Sequence, residues 1–171
     1  MANVMKAFKY VFVLASATDI ERLASINNAA LEAKKTLYVC SNFMASTMKF
    51  FTERESSLSR GLFNFSPRML RLNGLDRIKK KGFVLIAGTS QISCVKKLLK
   101  ELPIEETLLI YSSWEGYYTI PEQIAANPGY KNFRELFYNI VDIHTSGHAD
   151  KTTINKVIET INSKEVIVIH K

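Results

Sequence analysis

The three histidines of the chain, His144, His148 and His170, all fall within its last 28 residues. Imidazole changes charge near neutral pH and is the commonest metal ligand, so their grouping points first to proton transfer or metal binding. His144 stands near the end of one expected strand, Ile140 to Thr145. His148 follows in the run His144-Thr145-Ser146-Gly147-His148, and His170 ends the next expected strand, Glu165 to His170. One helix, capped by Asp150, separates them. If the two strands are neighbours, they lie ~5 Å apart and both imidazoles open onto one edge of a sheet. One bound anion or metal would then reach both. Ser146, Gly147 and the first amides of that helix are a candidate phosphate seat. A single histidine at a strand end is more often a polar surface group, so placement decides between the readings.

Three further loops carry small and hydroxyl side chains: Ala15-Ser16-Ala17-Thr18, Ala87-Gly88-Thr89-Ser90-Gln91, and Ser112 to Tyr118. Ser90 and Ser113 are candidate phosphate contacts there, although helix capping accounts for such residues equally well. Trp114, Tyr117 and Tyr118 could stack a base or simply pack. No G-x-x-x-x-G-K-[ST], no G-x-G-x-x-G, no nucleophile elbow and neither H-x-H-x-D-H nor H-E-x-x-H occurs. That excludes a P-loop, a dinucleotide fingerprint and a locally encoded metal site. Two cysteines, Cys40 and Cys94, cannot build a disulfide framework or a cysteine zinc site.

These loops need elements to hold them. Tyr10 to Leu14, Thr36 to Cys40, Phe83 to Ala87, Thr107 to Ser113, Ile140 to Thr145 and Glu165 to His170 read as strands. Helices separate most of them. One follows a capping box at Thr18-x-x-Glu21, and another is capped by Ser41 and carries Met44, Met48 and Phe51 on one face. A third is capped by Ser90, with Ile92, Val95, Leu98, Leu99 and Leu102 inward, and the last turns Ile154, Val157, Ile158 and Ile161 inward. Ser56 to Gly74 reads as an irregular connection that tucks Phe63 and Phe65 onto the core. Strands that are apolar throughout and alternate with helices imply an α/β three-layer sandwich, a mostly parallel sheet with helices on both faces. Its ligands are expected at the carboxyl ends of the strands.

Composition agrees with such a domain. Apolar residues are 47% and charged residues 23% of the 171, enough for a core and too apolar for disorder. No apolar run approaches the ~18 residues of a membrane span. No signal-peptide stretch opens the chain, so a cytoplasmic setting is expected. The net charge of +7 favours anionic ligands, nucleic acid among them.

Val11 to Arg22, Gly88-Thr89-Ser90-Gln91, Ser112 to Gly116 and above all His144-Thr145-Ser146-Gly147-His148-Ala149-Asp150 with Val166 to His170 resemble the β-CASP branch of the metallo-β-lactamase superfamily. The likeness is greatest to ribonuclease J-like enzymes, and the 22-residue interval from His148 to His170 fits that family. The resemblance implies a β-CASP domain over residues 1–139 and a return segment of the lactamase fold over 140–171. It implies His148 as the catalytic proton donor, His170 as a zinc ligand in the complete protein, and His144 and Ser146 as phosphate contacts. The parent would be a two-zinc hydrolase, a phosphodiesterase or ribonuclease acting on RNA. The H-x-H-x-D-H motif is absent, so the fragment itself is expected to be inert and metal-free. Its partners would be RNA, the missing lactamase half of the same chain, and a second copy paired through an exposed sheet edge. Two other readings stand beside this one. The chain is a nucleic-acid- or protein-binding module without chemistry, or a nucleotide-binding α/β domain of another family with its ligand at the carboxyl edge of the strands.

Overall fold

The computed structural model describes residues 1–54, 56, 61–71, 75–144, 151–162 and 164–167. In chain order the elements are α1 (Ala2–Ala7), β1 (Tyr10–Leu14), α2 (Ile20–Glu32), β2 (Leu37–Val39), α3 (Asn42–Glu53), β3 (Arg68–Met69), α4 (Leu75–Lys81) and β4 (Phe83–Ala87). Then come α5 (Ile92–Leu99), β5 (Thr107–Tyr111), α6 (Gly116–Thr119), α7 (Pro121–Ala126), α8 (Pro128–Arg134), β6 (Asn139–Asp142) and α9 (Lys151–Ile161). A short 3-10 turn, Thr89–Gln91, precedes α5.

β1, β4 and β5 are buried along their whole length, which a strand with almost no polar side chain requires. They form the middle of a parallel sheet with strand order β3-β2-β4-β1-β5-β6. The period-two alternation of a strand sends their side chains to two separate cores. Val11, Val13, Val84, Ile86, Leu108 and Ile110 meet Leu23 and Ile26 of α2 and Met44 and Met48 of α3. Phe12, Leu14, Leu85, Leu109 and Tyr111 meet Val95 and Leu98 of α5 and Phe133 of α8. The expected three-layer α/β sandwich is therefore the fold, with every strand pair parallel.

Several local expectations are corrected. Asp19, not Thr18, caps α2: its carboxylate accepts from the Arg22 amide, and a charged acceptor suits a helix N-terminus better than a hydroxyl. Ser90 does not cap α5, because the Gln91 side chain folds back onto the Gly88 amide and tightens the entry into a 3-10 turn. Asn127-Pro128-Gly129, which reads as a turn in the sequence, instead opens α8, with Pro128 in its first turn, where a fixed φ helps. The connection after α3 contains a two-residue strand, β3, parallel to β2. Its aromatics do reach the core, where Phe63 packs on Phe51 and Phe65 is buried.

The C-terminal elements also differ. β6 continues the sheet beside β5, so the expected boundary between residues 139 and 140 falls inside one strand. Residues 164–167 form no strand, and 168–170 lie outside the described residues. α9 does not bury its apolar stripe: Ile154, Val157 and Ile161 are exposed. Among the described residues no helix is long and apolar enough to cross a membrane.

Candidate functional site: a crevice where the chain parts

β1 and β4 are neighbours in register from Tyr10–Phe83 to Leu14–Ala87. Yet the chain leaves them toward opposite faces, into α2 on one side and α5 on the other. Their outgoing loops diverge, and this topological switch point is where open α/β sheets bind ligands. A cavity of about 190 Å³ lies there. Ser16 and Ala17 after β1, Ser41 and Phe43 after β2, and Gly88 to Gln91 after β4 line it, together with Tyr130 of α8.

Hydrogen bonds set the shape of these walls. Gln91 Oε1 accepts from the Gly88 amide at 2.8 Å, while Gln91 Nε2 donates to Ser90 Oγ at 2.6 Å. A Cβ on Gly88 would lie 3.2 Å from Gln91 Oε1, so glycine lets the turn close. Ser16 Oγ and Thr18 Oγ1 are 2.8 Å apart, and Ser41 Oγ accepts from the Met44 amide at 3.3 Å as the cap of α3. Among the described residues no charged side chain lines the cavity. Tyr130 stacks on Tyr117 with centroids 4.2 Å apart, and Trp114 meets Tyr117 edge-on at 5.6 Å. Phe43, 63% exposed, offers a second apolar surface. Such a pocket offers hydroxyls and backbone to a polar head and rings to a flat one.

A second group forms beyond β5 and β6. Arg22 Nε donates to Asp19 Oδ2 at 2.7 Å, and Arg22 Nη1 donates to Ser112 Oγ at 2.9 Å. His144 stands near them. Burial first, and then the Arg22 charge, hold its pKa below the ordinary histidine value; Asp19 and a hydrogen bond to the Ser112 backbone oppose this. A guanidinium beside an imidazole repels a metal cation. Among the described residues no three His, Cys, Asp or Glu side chains gather to hold a metal.

A third feature lies at the opposite end of the sheet, along the β3 edge. A hollow of about 360 Å³ is lined by Arg68, Arg71, Arg77 and Lys81 together with Tyr38 and Thr36. A neighbouring hollow shares Arg68 and adds Lys35. Among the described residues no carboxylate lines either one.

Of the residues singled out in the sequence, Ser90 lines the crevice. Ser113 follows β5 outside its lining, and His144 is exposed beside Arg22. Ser146, Gly147, His148 and His170 lie outside the described residues. Ser41, Phe43 and Tyr130 were not anticipated as lining. Ser41 showed only as a cap, and Tyr130 comes from a helix whose start reads as a turn. Arg68, Arg71 and Arg77 are scattered over ten positions and gave no signal as a cluster.

No protein-family model matches the chain, and no curated protein matches it. Among solved structures, it is similar to the shikimate kinase from Acinetobacter baumannii in complex with shikimate. The two share 11% identity with a TM-score of 0.37, over 98% of this chain and 100% of that one. At that TM-score the likeness carries no argument about this chain's own activity. That neighbour is not a metallo-β-lactamase protein, and no family match supports the β-CASP resemblance. That resemblance is corrected, and with it the zinc-dependent hydrolase and the nuclease; His148 and His170, to which it lent roles, lie outside the described residues.

Proposed function

We propose that the chain is a binding domain for a nucleoside or a phosphorylated nucleoside, held in the crevice between the β1, β2 and β4 loops. The observation that carries this is the cavity itself, at the point where the chain parts to opposite faces of the sheet. The hydroxyls of Ser16, Ser41, Thr89 and Ser90 suit ribose or phosphate oxygens, and Phe43 and Tyr130 suit a base. Titration calorimetry against a panel of nucleosides and their phosphates tests it. Saturable binding is expected, and Ser16→Trp and Ser90→Trp, which fill an exposed rim, are expected to abolish it while leaving the melting temperature in place. Absence of binding across the panel, or binding that survives both fillings, defeats the reading.

The basic hollow favours a second reading, in which the same domain lays an RNA strand along its β3 edge. Four exposed cations, with no carboxylate among the described residues of the lining, suit a phosphate backbone. Anisotropy of a labelled oligoribonucleotide is expected to fall steeply with added salt, and Arg68→Glu with Arg77→Glu to remove the binding. Binding that ignores salt or these changes rules it out. A cytoplasmic setting belongs to the proposal, since both ligand classes are found there.

A further inference from the structure

Cys40 and Cys94 lie 54 residues apart in the chain, yet their sulfurs are 3.4 Å apart. Cys40 follows the last residue of β2, and Cys94 sits in the first turn of α5. The parallel pairing of β2 with β4, and the short turn from β4 into α5, bring the two positions together. Both thiols are free and only partly buried. Neither lines the crevice, and among the described residues no third ligand joins them to make a metal site. Two sulfurs in contact need only a small further approach to reach the ~2.0 Å of a covalent bond.

We propose that Cys40 and Cys94 are a reversible thiol–disulfide site, closed by exchange with a low-molecular-weight disulfide. The Cys94 sulfur, as thiolate, attacks one sulfur of the small disulfide and expels the other half as a thiol. Cys40 then loses its proton and attacks the Cys94 sulfur of the mixed disulfide, expelling the second half. Two protein thiols are oxidised to one disulfide, and the small disulfide is reduced to two thiols. Burial and the adjacent Cys94 sulfur push the Cys40 thiol far up, so the first attack falls to Cys94, and Cys40 follows only because its target is then in contact.

The bond would join two walls of the crevice. Cys40 immediately precedes Ser41, and Cys94 lies three residues beyond Gln91. Its formation is independent of the nucleotide reading, and so is its test. The full chain is incubated with oxidised glutathione, its remaining thiols are alkylated, and its intact mass is measured. The expected product has no free thiol, a mass lower by two hydrogens, and one linked peptide containing both cysteines; dithiothreitol reverses it. Cys40→Ser is expected to stop at a single glutathione adduct on Cys94, and Cys94→Ser, which keeps only the Cys40 thiol, to stay unmodified. The wild-type chain is also expected to melt at a higher temperature when oxidised, a shift absent from both variants. Stable glutathione adducts on the wild-type chain, or disulfide-linked dimers in place of the internal bond, would overturn the proposal.

Discussion

His144 is a histidine whose neighbours decide its charge. Burial and Arg22 keep it neutral in the folded chain to a lower pH than in the unfolded one. Below the unfolded value of about 6.5, the unfolded state therefore binds the extra proton more readily. This contribution to stability is complete above that pH and is lost on acidification through it. The urea midpoint of the wild-type chain is expected to fall relative to that of His144→Gln as the pH drops through about 6.5. Parallel curves would show that neither burial nor Arg22 lowers the His144 pKa in the folded chain. At this scale the sequence was informative about type and poor about company. Ser41 was legible as a cap because its job is local, three residues away. The Arg22–Ser112 hydrogen bond and the Cys40–Cys94 contact span 90 and 54 residues, and no local pattern encodes such a meeting.

Among the elements, the strands were the most legible, because a fully buried strand must be apolar throughout. Their starts depend on less visible features. Gly82, just before β4, has φ +70°, and a Cβ there would lie 2.4 Å from the Lys9 carbonyl oxygen, which accepts from the Phe83 amide. Gly82→Ala must both strain that φ and push β1 from β4, so a loss of about 3 kcal/mol is expected in urea unfolding. A loss under about 0.5 kcal/mol, the range of a neutral surface change, would mean that the strand starts relax freely. Caps one residue off, as at Asp19, and the Gln91 turn escaped the sequence reading because two adjacent residues could each serve and only the finished backbone chooses. β3 escaped it because two residues with exposed side chains carry no periodicity.

For the whole molecule, sequence periodicity was enough for the layered parallel sheet, since it reports burial on both faces. The position of the crevice was not legible, because it depends on which strands become neighbours. Strand order is a property of the crossovers, not of any one segment. The functional reading failed for a related reason: the histidine run drew its meaning from partners outside any local pattern, and of that run only His144 is described, with Arg22 beside it. Stability should be uneven across the molecule. Amides of β1, β4 and β5, closed between two cores, are expected to exchange hydrogen far more slowly than those of α9, whose Ile154, Val157 and Ile161 remain in water. Equal protection would place a packing partner on α9. The open flank of the sheet ends in the two-residue β3, where Arg68 stands outward. Short, cationic borders of this kind keep like chains from zipping onto one another. Whatever masks those positive charges, a polyanion included, therefore also lifts a guard against self-association, and the protein should clump most readily where such a mask just balances them.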